Sequence, residues 1–401
     1  MTMKKLMILG ASYSQLPLYQ EAKKLGISTV AASIPGDWPG FQAADEYTYT
    51  DISDPAAVYE AAEKFHVDGI ATCCLDTGVR ALGYACEQLG LKGLSAEAAE
   101  ISSNKFKMKE AFMAGGVNCA RHICIRNRKE LAEALECLEF PVVLKAVDLM
   151  GSRGIFRCDT KEEAFERYED TMKATGKDYC LAEEFIEGET LGCEAMISNG
   201  ELLYCLPNNI DAFQSYVPTP VGHSVPYRKQ EMLGEQVKHQ VMLAIQAVGL
   251  DNCAVNCDLI EKDGKIYVIE ITGRAGATCL PETVGLYYGI NYYEAIVRLA
   301  MDMEPEKLFE GHIPCQSSLS KILTSDRSGI VKEIHNTNVP AEDIVDLSFN
   351  IQPGDQVNRY ENGRDRIGQV ILTGKDLDAC ETRLGDILSK INIELDRKSV
   401  V

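Results

Sequence analysis

Ten residues after Asp258, the stretch Val268-Ile269-Glu270-Ile271-Thr272-Gly273-Arg274 delivers a carboxylate, a hydroxyl and a guanidinium to the end of one apolar run. Asp258 itself closes a neighbouring apolar run, Cys253-Ala254-Val255-Asn256-Cys257. Between them, Lys262-Asp263-Gly264-Lys265 signals a tight hairpin, because Asp-Gly readily supplies the positive φ angles of a two-residue loop. Two carboxylates on adjacent antiparallel strands can hold a hard cation such as Mg²⁺ (or Mn²⁺) through oxygen. An arginine beside them can neutralise a phosphate bidentately. Taken alone, the same residues also describe a surface salt bridge.

Two lysines extend the pattern. Lys105 lies in Ser103-Asn104-Lys105-Phe106-Lys107-Met108-Lys109, at a helix start that could equally be a solvated basic turn. Lys145 sits in the apolar strand Phe140-Pro141-Val142-Val143-Leu144-Lys145-Ala146. A charge there is expensive unless paired, so an anion is expected beside it. The loop Met150-Gly151-Ser152-Arg153-Gly154 follows, and its N–H groups can approach phosphate oxygens or simply close a hairpin. Next, Leu181-Ala182-Glu183-Glu184-Phe185-Ile186-Glu187-Gly188-Glu189 runs from an apolar strand into acid. Such a segment can act as an adenine hinge: backbone for the base edge, an apolar side chain for its face, a carboxylate for the ribose. It reads as well as a solvated acidic turn.

The elements that must position these groups follow from the periodicity. At 401 residues, with 46% hydrophobic and 25% charged residues, the chain has the composition of a globular protein of two to four subdomains. Its formal charge of −20 disfavours a nucleic-acid partner, and no apolar run approaches a membrane span. The short apolar start leads directly into a strand rather than a secretion signal. The 15 cysteines contain no Cys-x-x-Cys pair and mostly fall in apolar segments, as small hydrophobes of a reduced, cytoplasmic protein would. Residues 1–100 alternate strand and helix in the manner of a doubly wound parallel α/β sheet. The first turn, Gly10-Ala11-Ser12-Tyr13-Ser14-Gln15, lacks the Gly-x-Gly-x-x-Gly dinucleotide fingerprint. From about residue 120 the pattern becomes α+β. Strands are expected at 121–125, 142–147, 154–157, 179–185, 189–198 and 201–206, and helices at 129–138, 160–175 and 234–249. From Pro305 onward, strands and one terminal helix over 376–391 are expected.

In order, the series is helix-start lysine, strand lysine, glycine loop, acidic hinge and carboxylate hairpin ending in arginine. With its spacings, over roughly residues 1–310, it resembles the ATP-grasp superfamily of the carboxylate–amine ligase type. The resemblance implies a Rossmann-like N-terminal domain (1–100), a two-subdomain ATP-grasp domain (101–305, with its lid at about 120–190) and a small closing domain (306–401). The Asp365–Ile371 stretch and the helix after it resemble that closing domain in biotin-carboxylase-like and amino-acid ligase members.

The resemblance also assigns residues. Lys105 and Lys145 match the phosphate lysines, and Gly151, Ser152 and Gly154 the lid loop. Glu183, Glu184, Phe185 and Ile186 match the adenine hinge, and Glu189 the ribose carboxylate. Asp258 and Glu270 match the Mg²⁺ carboxylates, and Arg274 the arginine that steadies an acyl phosphate. Where the family commonly has Asn after the second metal carboxylate, this chain has Thr272, whose hydroxyl is still an oxygen donor.

ATP and Mg²⁺ are thus the implied cofactors, and a small-molecule carboxylate and an amine the implied substrates, for an enzyme compatible with a homodimer. The proline-punctuated segment Val217–Arg228 offers His223 and Arg228 for substrate, or forms a structural loop. Carbamoyl-phosphate synthase carries the module twice, and biotin carboxylase is longer. Glycinamide ribonucleotide synthetase has similar length and order, but its Arg-Phe-Gly-Asp-Pro-Glu signature is absent here. A carboxylate kinase would use the same ATP residues.

Overall fold

The computed structural model describes residues 3–149, 151, 153–213, 219–311 and 316–396, with only the backbone of Arg364. Ser152 and the Val217-Pro218 end of the candidate substrate segment lie outside the described residues. The chain divides into two compact units: Met1–Pro207, Lys229–Ala277 and Asn291–Gly311 form the first, and Asn208–Arg228, Thr278–Ile290 and His312–Val401 the second. Among the described residues no helix is long and apolar enough to cross a membrane.

The first unit begins with a parallel sheet in the order Glu46–Tyr49, Ser28–Ser33, Lys5–Leu9, Gly69–Ala71. Leu6, Met7, Ile8 and Leu9 are all buried, as a central parallel strand covered on both faces requires. Helix Pro55–Phe65 starts with proline in its first turn and with Asp54 accepting from the Ala56 and Ala57 N–H groups. Gln15 fills the turn after the first strand, its amide donating to Cys73 O at 2.7 Å.

A four-stranded antiparallel sheet follows, ordered His122–Ile125, Cys180–Glu184, Val142–Lys145, Ile155–Cys158. Val142, Leu144, Cys180 and Ala182 share a core with residues of helices Arg128–Cys137 and Lys161–Ala174. Side chains alternate across a strand. Burying Leu144 and Ala182 on the helix side therefore commits Lys145 and Glu183 to the other face.

The hairpin Cys253–Lys262 and Lys265–Thr272 lies beside Glu189–Ser198. Its turn residues Asp263 and Gly264 have φ of 53° and 75°, the two-residue geometry that Asp-Gly favours. The ladder carries one bulge. Leu259 pairs with Val268 but Asp258 with Glu270, so Ile269 is the extra residue. Helix Lys105–Ala114 is capped by the Asn104 side chain, which accepts from the Phe106 and Lys107 N–H groups.

In the second unit, Thr219–Val225 is a strand between the far half of Glu201–Phe213 and Ser317–Leu323, followed by Gly368–Gly374 and Ile344–Phe349. Residues Thr219–Val225 of the proline-punctuated segment are thus a strand rather than a loop. A bulge at Asp211/Ala212 and the neighbouring Pro220 mark its irregular end. Helix Leu377–Ser389 lies where the terminal helix is expected, and a further strand, Ile391–Asp396, follows it. Leu323, Val331, Val370, Leu372 and Ile387 form this unit's core.

Candidate active site

The first unit brings the two phosphate-lysine candidates and both carboxylates of the hairpin into one charged cluster. Lys145 is buried and its Nζ forms an ion pair with Glu183. Lys109 Nζ approaches the other Glu183 oxygen at 3.4 Å. Burial works to raise the Glu183 pKa, but Lys109 and Lys145 overcome it and hold the carboxyl at about 2. Burial pulls the Lys145 pKa below the ordinary lysine value against the opposing pull of Glu183. The anion that Lys145 needs is therefore present in the fold itself.

Lys105 is not a solvated helix start. It is buried, with Nζ 3.0 Å from Glu270 Oε2 and 2.9 Å from Leu149 O. Burial opposes its charge, but Glu270 raises its pKa above the ordinary value, and Lys105 in turn lowers that of Glu270. Asp258 stands opposite Glu270 in the ladder. Burial, reinforced by the negative charge of Glu270, pushes Asp258 up to about 7. Thr272 pairs with Asn256 across the same hairpin and is buried.

Among the described residues no group of three or more His, Cys, Asp or Glu side chains could hold a metal by itself. Two adjacent carboxylates fit a different case, a cation that shares its shell with a ligand's phosphate oxygens. The Lys105 ammonium beside Glu270 marks the place as one that attracts positive charge.

Arg274 is clamped. Its Nε and Nη2 lie 2.7 and 2.6 Å from Asp76 Oδ1, and its Nη1 donates to Asn256 Oδ1 at 3.3 Å and Ala275 O at 3.0 Å. Glu194 lies behind it with no exposed surface. Burial raises its carboxyl to about 8, against the lowering influence of the Gly276 N–H, Arg274 and Asn256.

The loop and hinge candidates are placed as follows. Gly151 and Gly154 both have positive φ, 66° and 65°, and a Cβ on Gly154 would sit 2.8 Å from that of Ala146, so this turn requires glycine twice. Glu183 faces the lysines. The N–H groups of Glu184 and Phe185 donate to Arg121 O and Pro141 O, which leaves Ile186 to offer an N–H from this segment. Arg157 stacks over the Phe185 ring at 4.4 Å. Glu189 is exposed and pairs with Lys229 at 2.7 Å, which also binds Glu261 at 2.6 Å.

In the second unit, His223 is buried against Asn208 Oδ1 at 3.0 Å, and burial lowers its pKa to about 4. Arg228 pairs with Asp378 and Glu381 at 3.1 and 2.8 Å. Each thus has a structural partner of its own.

Lys109, Asp76, Glu194 and Asn256 were not among the expected site residues. Lys109 is one helical turn beyond Lys105, and that spacing puts both on one face. Glu194 is a charge inside an apolar strand, the same signal that singles out Lys145. Asp76 follows the C-terminal end of a parallel strand, where α/β sheets bind ligands.

The model of the ATP-grasp domain matches residues 102–278, and that of the L-amino acid ligase C-terminal domain 2 matches residues 321–396. Alanine–anticapsin ligase of Bacillus subtilis (strain 168) is 27% identical over 248 residues, which is 56% of this chain and 52% of that protein. The chain thus spans about half the length of the curated relatives it matches. A solved phosphoribosylglycinamide synthetase from Anaerococcus prevotii is 42% identical with a TM-score of 0.85, covering 98% of this chain and 100% of that one. The L-amino acid ligase from Bacillus licheniformis shares the fold, with a TM-score of 0.83 at 20% identity over 98% of this chain and 99% of its own.

Proposed function

The chain belongs to the ATP-grasp family, and we propose that it is a stand-alone carboxylate–amine ligase that forms an amide or peptide bond through an acyl phosphate. The observation that carries the reading is the Asp258–Glu270 pair, flanked by Lys105 on one side and by Arg274 at the same strand end. The match of residues 321–396 to an L-amino acid ligase domain favours amino acids as substrates.

Lys105, Lys145 and the Gly151–Gly154 loop would take the phosphate oxygens. Ile186 and the face of Phe185 would hold the base, and Glu189 the ribose. Asp258 and Glu270, with Thr272 near, would hold Mg²⁺. Bound there, the ion supplies neutralisation of phosphate charge. The substrate carboxylate oxygen attacks the γ-phosphorus, and ADP leaves with the bonding pair. The amine nitrogen then attacks the acyl carbon, phosphate leaves with the C–O pair, and the nitrogen's proton passes to that phosphate. Arg274 offsets the charge on the acyl phosphate and on the tetrahedral intermediate.

A second reading follows from the Anaerococcus prevotii relative: glycine as the carboxylate and a phosphoribosyl amine as the nucleophile. One experiment addresses both readings. Purified protein is assayed for ADP release with amino acids singly and in pairs, and with glycine plus phosphoribosylamine. Release that requires an amino-acid pair and yields a dipeptide supports the main reading. Turnover only with phosphoribosylamine replaces it.

A further inference from the structure

One buried acid that the reaction does not use directly controls the surroundings of Arg274. Glu194 lies on the strand Glu189–Ser198, and its Oε1 accepts from Asn256 Nδ2 at 2.8 Å and from the Gly276 N–H at 3.0 Å. Asn256 is its cross-strand partner, and its own Oδ1 accepts from Arg274 Nη1 at 3.3 Å. An amide has one donating and one accepting end. With Nδ2 committed to a carboxyl oxygen, Oδ1 faces the guanidinium. The flipped amide would set donor against donor at Arg274 and oxygen against oxygen at Glu194. Gly276 lies two residues past Arg274, so the same Glu194 oxygen also fixes the backbone of the turn that carries the arginine.

An arginine has five N–H donors. Asp76 accepts from Nε and stands 2.6 Å from Nη2 as an ion pair, and Asn256 and Ala275 accept from Nη1. Among the described residues Nη2 meets only Asp76, so this is the end of the guanidinium with an N–H left to offer. Glu194 Oε2, in contrast, has no hydrogen-bond partner among the described residues. A buried, half-satisfied carboxyl is a costly way to fill space, and an apolar side chain would fill it more cheaply. Its value lies in what it orients.

We propose that Glu194 is a positioning residue for acyl transfer: through Asn256 and the Gly276 N–H it holds the Arg274 guanidinium so that one Nη2 N–H meets the phosphorylated substrate. The inference rests on the ligase reading above.

The test compares wild type with E194Q, E194M, N256D and the swap E194Q/N256D, by ADP release at saturating substrates and by the NMR signal of the Arg274 side-chain Nε–H group. Gln retains an acceptor for both donors, so E194Q stays within about threefold of wild-type kcat. E194M frees the amide to turn and lowers kcat by about 10–100-fold, with KM for ATP unchanged. N256D removes the Nδ2 donor to Glu194 Oε1, unlocks the side chain that faces Arg274, and loses a similar factor. The swap restores the alternation, since Gln can donate to Asp and still accept from Gly276, and most of kcat returns. The Arg274 signal moves in E194M and N256D and returns in the swap. Wild-type kcat in E194M, or a swap no better than N256D, overturns the positioning role. Protein inert toward every carboxylate–amine pair overturns the ligase reading instead. The Arg274 signal then decides the positioning alone, and an unmoved signal in E194M rejects it.

Discussion

Asp258 faces Glu270 because Ile269 is bulged out of the ladder between them; a regular register would have set Asp258 against Ile269. The bulge re-aims one side chain and brings two carboxylates together, Glu270 held ionised by Lys105 and Asp258 pushed toward neutrality. Their mutual repulsion appears in the raised pKa of Asp258, for which burial is the larger cause. A site built in this way is poised for positive charge.

Removing the Glu270 charge while keeping its shape should therefore abolish turnover and spare the fold. For Glu270→Gln we expect kcat to fall by about 100-fold or more, matching the several kcal/mol that a catalytic metal contributes. Asp258→Asn should fall less, because Asp258 is the carboxyl closer to neutrality. Activity against Mg²⁺ concentration checks both. A Glu270→Gln enzyme that saturates like wild type would show the hairpin to be misread.

Lys145→Ala should weaken ATP binding by about 1.5–3 kcal/mol, the range for a hydrogen bond to a charged group. The loss reaches further than one contact, because Glu183 then keeps Lys109 alone as its ion-pair partner among the described residues. Calorimetry on the variant decides it, and an unchanged nucleotide affinity would remove Lys145 from the site.

Much of this was legible in the chain, for definable reasons. The Asp-Gly turn and the apolar runs around it set the hairpin. The charge of Lys145 within an apolar strand announced a partner. What could not be read was which partner. Glu183 looked like part of a hinge because its neighbours in sequence are acidic, yet strand alternation turns it onto the lysine face. The bulge at Ile269 leaves no mark in composition. Asp76 lies 198 residues from Arg274, a pairing that only the folded chain can make. The strand Thr219–Val225 is hidden by its Pro220, which an irregular strand end tolerates.

Lys109→Met removes one of the two cations that hold Glu183 ionised in a buried place. Breaking such a pair from one side typically costs about 3–5 kcal/mol. Lys109→Met should thus lower the denaturant midpoint, and adding Glu183→Gln should recover part of the loss. A single variant as stable as wild type would mean that Lys145 alone suffices for Glu183.

Glu194 gives a pH signature. Its carboxyl titrates near 8 in the fold, against an ordinary 4.5. A folded-state pKa raised in this way means that its contribution to stability is complete below 4.5 and is lost as pH rises through 8. Between those values wild type should lose up to about 1.4 kcal/mol per pH unit relative to Glu194→Gln, which has no proton to release. Unfolding curves of the two proteins at pH 5 and pH 8 test the sign. Parallel pH profiles would place the titration of Glu194 elsewhere.

Arg274 separates the ligase from a carboxylate kinase. A kinase would stop at the phosphorylated product and be indifferent to amines. A ligase must protect its acyl phosphate from water until the amine arrives. The Arg274 charge is needed chiefly once phosphate has begun to move, and its clamp by Asp76 and Asn256 keeps it ready beforehand. Arg274→Ala should then reduce kcat far more than ATP affinity, by about 100-fold or more. In wild type, ADP release should require the carboxylate and accelerate with the amine, and mass spectrometry should find an amide. A stable phosphorylated product, formed at a rate that no amine changes, would favour the kinase.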